Sequence, residues 1–207
     1  MSLDDITLAG DVTSCHGYTH AVVRWEPDAS GRLREAATQL YVERGFEQTT
    51  VAEIAQRAGL TARTFFRYFA DKREVLFAGS AALQEQLVSA LTAAPDSASP
   101  MEAVAVALDA AAAMLGQRHE YSRLRQSVID ANAELREREL IKMASLSAAL
   151  ADGLRRRGVP DPDASLAAEA GIVVLRVAFE RWVSQPHDGD LAQAMHEALD
   201  RLRAVTA

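Results

Sequence analysis

The chain has 207 residues, 49% of them apolar, and a net charge of −7, which is enough length and hydrophobicity for one large or two small folded units. A single cysteine, Cys15, excludes an intrachain disulfide. No apolar run approaches the roughly 18 residues of a membrane span, and the acidic start MSLDDITLAG lacks the apolar core of a secretory signal, so a cytoplasmic protein is expected.

Residues 1–24 show no periodicity and read as a loosely ordered extension. Cys15, His16 and His20 are metal-ligand types, but no fourth ligand follows at a usable spacing, so no metal is expected. The charge is unevenly spread, with −3 over residues 1–23, +1 over 24–76 and −5 over 77–207. The acidity therefore sits outside residues 24–76.

That segment is 50–69, TVAEIAQRAGLTARTFFRYF, which predicts two short helices joined by a tight turn. Thr50 with Glu53 forms a capping box, Gly59 permits the left-handed reversal, and Thr61 caps the second helix. Leu60 and Phe65 have the spacing of a hydrophobic staple. Phe65 and Phe69 share a face with Ala62 that should pack on Ile54 and Ala55. Arg63 and Arg67 share another face, flanked by Thr64 and Tyr68, and this pairing of cations with hydroxyls suits guanine edges and phosphate oxygens. From Arg57 to Arg73 five cations meet one anion, Asp71.

Downstream, Leu76, Leu83, Leu87 and Leu91 predict a fourth helix from about Asp71 to Ala94, stopped by Pro95. Gly79 inside it would serve as a flex point or a close-packing position, packing being preferred. Ser99, Pro100 and Glu102 open a fifth helix that ends near Gly116. A sixth is expected over 120–132 and a seventh over 134–157, with Leu140, Met143, Leu150 and Leu154 on one side and Gly158 as its stop. The eighth should run over 163–184 and the ninth over 191–205. Arg155, Arg156 and Arg157 suit a helix C-terminal dipole better than an anion site. The fold class expected is all-α, about nine helices, with no strand pattern.

Small residues on the eighth helix (Ala168, Gly171, then Leu175) and a stripe of Leu191, Met195, Ala198 and Leu202 on the ninth predict a dimer seam, although each stripe also suits an internal core. Met101, Val104, Leu108 and Met114, with Leu124, Val128 and Met143, suit a closed core, the preferred reading on sequence alone, or the lining of an apolar cavity, with Phe179 and Trp182 covering one end or anchoring an interface.

The motif and its surroundings resemble the DNA-binding domain of the tetracycline-repressor (TetR) family of bacterial regulators over residues 27–76. GRLREAATQLYVERGF resembles that family's first helix, ending at Gly45 and Phe46 before Thr49 and Thr50. The family's Leu-Tyr-x-His/Tyr-Phe reads here Phe65-Phe66-Arg67-Tyr68-Phe69, so Phe66 replaces a tyrosine and offers van der Waals contact only. The resemblance implies three parts, an extension (1–24), a helix-turn-helix domain (25–72) and a helical effector-binding and dimerisation domain (73–207). It implies phosphate contacts from Thr49, Thr50 and Lys72, base contacts from Arg63 and Thr64, and further contacts from Thr61, Tyr68 and Arg67, the last with Asp71 as an alternative partner. Its partners would be an operator duplex, a second copy of the chain and an apolar small-molecule effector. With Lys72 and Leu91 on one helix, a shift at the cavity would be levered about 28 Å to the DNA, at ~1.5 Å per residue.

No nucleophile, base and orienting group converge, no glycine loop cradles phosphate, and His119, His187 and His196 stand singly, so neither catalysis nor a cofactor is expected. The rival to a regulator is a helical ligand carrier or scaffold that has lost DNA binding.

Overall fold

The computed structural model describes residues 28–185 and 189–206; the extension, with Cys15, His16 and His20, and the loop histidine His187 lie outside them. Among the described residues there are nine α-helices and no strand: α1 Ala29–Arg44, α2 Val51–Arg57, α3 Ala62–Tyr68, α4 Ser80–Ala93, α5 Pro100–Leu115, α6 His119–Asp130, α7 Ala133–Arg156, α8 Asp161–Val183 and α9 Leu191–Thr206. The all-α expectation is met.

Local chemistry explains most boundaries. Gly45, Gly59 and Gly158 take φ of 87°, 68° and 86°, where a side chain is strained, and each follows a helix end. Thr50 with Glu53, and Ser99 with Glu102, form complete capping boxes at the starts of α2 and α5.

The predicted fourth helix is broken. Asp71 accepts hydrogen bonds from the amides of Arg73 and Glu74 at 2.8 and 3.1 Å, closing a separate turn, and Glu74–Phe77 continues as a short 3-10 segment before α4 begins at Ser80. Three consecutive apolar residues, Val75, Leu76 and Phe77, are all buried there, a pattern no single face of an α-helix accommodates. Lys72 and Leu91 thus do not share a helix, and the rigid 28 Å lever is withdrawn. Nothing lies within 4 Å of a Cβ built on Gly79, so close packing does not explain that glycine either.

Two apolar cores organise the chain. The first joins Leu33, Leu40, Ile54, Phe65 and Phe69 with Val75–Phe77, and it also takes in Val128, Ile129 and Leu135 from the corner between α6 and α7. The second unites α4, α5, α7, α8 and α9 around Leu87, Leu91, Val104, Leu150, Leu154 and Trp182. Phe65 and Ile54 are fully buried, with Ala55 and Phe69 beside them as expected and Leu60 packed on the same core, whereas Ala62 is exposed. Leu150 and Leu154 face the second core, but Leu140 stands out in solvent.

The predicted dimer seam is internal. Ala168, Gly171, Leu175, Leu191 and Met195 are buried within the protomer, and Ala198 and Leu202 pack on the same core. A Cβ on Gly171 would come within 2.6 Å of Val104 Cγ1, so that glycine admits α5 of its own chain. Amphipathic helices show the same period whether the buried face meets a partner or its own bundle. The large apolar α8 residues left outside are Leu166, Val173 and Val177, exposed by 70%, 42% and 47%.

Arg157 serves a neighbouring helix. Its guanidinium donates to the carbonyl oxygens of Ala94 at 2.8 Å and Pro95 at 2.6 Å and lies near those of Leu91 and Thr92, the C-terminal end of α4. Arg155 pairs with Asp152 and Asp161.

Candidate nucleic-acid interface and cavity

The reading surface is α3. Thr61 sits outside the helix with its hydroxyl accepting from the Thr64 amide at 3.1 Å, and the two threonine hydroxyls lie 3.0 Å apart. With Phe65 and Phe69 turned into the core, helical geometry leaves Arg63, Phe66, Arg67 and Tyr68 exposed on the far side, Phe66 by 58%. Arg67 donates to the Tyr68 hydroxyl at 3.2 Å, and its guanidinium carbon is 4.9 Å from the Tyr68 ring centroid. Among the described residues neither Arg63 nor Arg67 has a carboxylate within ion-pair distance.

The other cations near the motif are occupied. Arg57 forms a two-pronged pair with Glu43 at 2.9 and 3.0 Å that holds α2 against α1, and this raises the arginine further and lowers the carboxylate. Arg73 takes Asp71 at 2.6 Å and Glu134 at 2.5 Å, so Asp71 is not the partner of Arg67. The hydrogen bonds from Arg73 and from the amides of Glu74 and Arg73 hold the Asp71 carboxyl below its usual range. The local excess of positive charge thus reduces, on the reading face, to two guanidinium groups.

Two of the expected phosphate contacts change character. Thr49 is 1% exposed, and its hydroxyl donates to the Gly45 carbonyl at 2.9 Å, so it faces the interior. Lys72 does not begin a helix. Its ammonium donates to the carbonyls of Phe46, Glu47 and Thr49 at 2.9, 3.3 and 3.2 Å and lies 4.3 Å from the Phe46 ring centroid, which uses all three of its donors within the turn between α1 and α2. Tyr41, buried beside it, donates to the Lys72 carbonyl at 2.6 Å, and burial, with Asp71 adding to it, pushes the phenol above its ordinary range. The sequence shows a lysine at this place but not the three carbonyls 23 to 26 residues earlier. Thr50 is exposed and bonded to Glu53 at 2.8 Å.

A cavity of about 290 Å³ lies between residues 75–83, the end of α5, and α6, α7 and α8. Met114, Met143 and Phe179 line it as expected. The other expected lining residues do not. Val104 and Leu108 are buried in the second core with Met101 packed on it, Val128 belongs to the first core, and Leu124 borders a separate groove beside α1. Trp182 is buried with its indole N–H on the Gly189 carbonyl at 2.5 Å and His119 Nε2 3.0 Å from its own carbonyl. What was not foreseen is the polar wall, which includes Arg125, Gln126, Glu139 and Lys142.

Between α3 and this cavity stands one set of contacts. Glu74 bonds Arg138 at 2.6 Å and Lys142 at 3.3 Å, and the Arg125 Nε donates to the Leu76 carbonyl at 2.7 Å while its guanidinium also reaches Glu139 at 3.4 Å. Among the described residues no His, Cys, Asp and Glu cluster could hold a metal, and no helix is long and apolar enough to cross a membrane.

Comparison with known proteins agrees with this geometry. The model of bacterial regulatory proteins of the tetR family matches residues 33–78, and that of the MftR C-terminal domain matches residues 98–207. The HTH-type transcriptional regulator TcmR of Streptomyces glaucescens is 37% identical over 79 residues, 38% of this chain, and the match spans only 35% of TcmR. Among solved structures, the SmeT–triclosan complex is similar with a TM-score of 0.61 at 23% identity, over 86% of this chain and 90% of that one. FadR of Bacillus subtilis in complex with stearoyl-CoA is similar with a TM-score of 0.57 at 22% identity, over 83% and 96%. At such identities these two likenesses establish the fold.

Proposed function

This chain belongs to the tetR family of bacterial regulatory proteins, and from that premise we propose that it is a dimeric, ligand-responsive repressor of transcription that reads a partly palindromic operator with α3. The observation that carries this reading is the exposed face of α3. There Arg63 and Arg67 stand clear of the carboxylates that engage Arg57 and Arg73, on a helix held from behind by buried Phe65 and Phe69. Arg63 and Thr64 approach base edges, Tyr68 and Arg67 reach phosphate or base, Phe66 offers apolar contact, and Thr50 and Thr61 meet the backbone. Lys72 contributes by fixing the turn that presents α2.

A helix of seven residues makes few contacts, so two copies on a two-fold axis are needed for tight binding. The second copy docks on α8, where Leu166, Val173 and Val177 lie four to seven residues apart on one exposed side. The cavity holds the effector. SmeT bound to triclosan supports a small, largely apolar ligand, and FadR bound to stearoyl-CoA supports one with an apolar tail. The protein acts in the cytoplasm, as a binding protein and not an enzyme.

Selection of duplexes of about 30 base pairs from a random pool, long enough for two half-sites one turn apart, tests the reading. A palindromic consensus whose binding weakens steeply with salt supports it. Recovery of no consensus overturns it in favour of a helical carrier or scaffold without DNA binding.

A further inference from the structure

The cavity is lined by two unlike sets of side chains. Leu83, Leu115, Leu146, Leu175 and Phe179 are apolar, whereas Arg125 and Lys142 are cations bonded to the turn at 74–77. Around the whole lining five cations meet two carboxylates, Glu139 and Glu180. Among the described residues, the buried Nε of Arg34, another lining residue, has no hydrogen-bond acceptor. What this wall lacks is negative charge. Its volume of about 290 Å³ sits at the bottom of the range for ligand pockets, which suits a medium-chain amphiphile.

These two cations are also a grip on the DNA-binding part. Lys142 Nζ lies 3.3 Å from Glu74 Oε2, and Arg125 donates to the Leu76 carbonyl at 2.7 Å with its guanidinium 5.2 Å from the Phe77 ring centroid. Glu74, Leu76 and Phe77 make up the turn that follows α3 by a few residues. Two side chains therefore face the ligand space and hold the base of the reader at once.

Building on the ligand-responsive reading of this cavity, we infer that the effector is a small amphiphile carrying one carboxylate, whose head group draws Lys142 and Arg125 away from Glu74 and the Leu76 carbonyl. The apolar tail packs on Leu83, Leu146 and Phe179. The bound carboxylate and Glu74 compete for the same ammonium, so occupancy loosens the turn at 74–77 and with it the placement of α3. Coupling of this kind is reciprocal, and weakening the grip from the DNA side must tighten ligand binding.

Calorimetric titration of the full chain with decanoate, 1-decanol and decyltrimethylammonium reads this without any DNA. Decanoate is expected to bind more tightly than decanol by roughly tenfold or more, and the cation least well. Lys142→Met should abolish the preference for decanoate while decanol still binds, and Lys142→Gln gives the same reading if the first variant does not fold. Glu74→Gln should raise decanoate affinity severalfold, an effect that mere structural damage does not produce. Equal binding of decanoate and decanol, tighter binding of the cation, binding of none of the three, or no gain in Glu74→Gln overturns the inference. A chain that shows the expected preferences yet selects no duplex keeps the ligand assignment and overturns the regulator reading, so the two failures are told apart.

Discussion

The Lys72 ammonium lies 4.3 Å from the centre of the Phe46 ring and donates to the carbonyl oxygen of that same residue at 2.9 Å. A charge from beyond α3 thereby closes the turn before α2, and the whole reader is tied at its two ends. Lys72→Met leaves three carbonyls without this donor. Hydrogen bonds to a charged group contribute about 2 kcal/mol, so a melting temperature lower by ~5 °C is expected. Operator and scrambled duplexes should be bound more weakly by the same factor. A variant with unchanged melting but weaker DNA binding would instead make Lys72 a direct phosphate contact.

Arg63→Ala should leave thermal stability unchanged, because the side chain is exposed and touches no carboxylate among the described residues. Its effect should fall on discrimination. Loss of a bidentate base contact costs about 1–3 kcal/mol, and the ratio of operator to scrambled affinity should drop accordingly. An unchanged ratio in fluorescence titrations would remove Arg63 from the base-reading set.

Val173→Glu and Val177→Glu place a carboxylate on the exposed side of α8, next to its own copy if two α8 helices meet there. Sedimentation at micromolar concentration should show monomers with native helix content, and operator affinity should fall by about ten-thousandfold for a site bound at about 10 nM, since one half-site contributes about half the binding free energy. Dimers that persist in both variants would move the interface elsewhere.

Asp71 supplies a pH-dependent element. Its carboxyl is held below its ordinary 3.8 chiefly by the hydrogen bond from Arg73, then by the amides of Glu74 and Arg73. For a depressed acid the stabilisation is present in full above the unfolded value and disappears as pH falls through the lower folded one. The wild-type melting temperature should be flat on this account from pH 8 to about 5 and fall below about 4. Asp71→Asn should melt lower than wild type at pH 7, with the gap closing in acid; a gap independent of pH would assign the loss to packing.

How much of this was legible in the sequence follows the range of each interaction. The capping boxes at Thr50 and Ser99, the turn at Gly59 and the inward pair Phe65 and Phe69 act within a few residues, and spacing alone exposes them. The break at residues 74–79 was missed because Leu76, Leu83 and Leu87 continue a helical period across it, although Leu76 packs in one core and Leu83 in the other. Thr49 was misplaced because a threonine before a helix looks the same whether its hydroxyl faces solvent or, as here, the Gly45 carbonyl. The stripes on α8 and α9 face the protomer's own core for a similar reason, since periodicity locates a buried stripe without saying what buries it. The cavity's methionines were half legible; Arg125 and Lys142 were not, because their partners lie 49 and 68 residues away.

Val128, Ile129 and Leu135, from the middle of the chain, are buried in the same core as the reader's own Leu33, Ile54 and Phe65. The front portion is therefore not a detachable module. A fragment cut after Gly79 would carry an open apolar wound, and a chimera that grafts this reader onto another effector-binding body would have to bring the α6–α7 corner with it. Evolution exchanging specificities among such regulators faces the same constraint, so the corner should travel with the front portion when parts are shuffled.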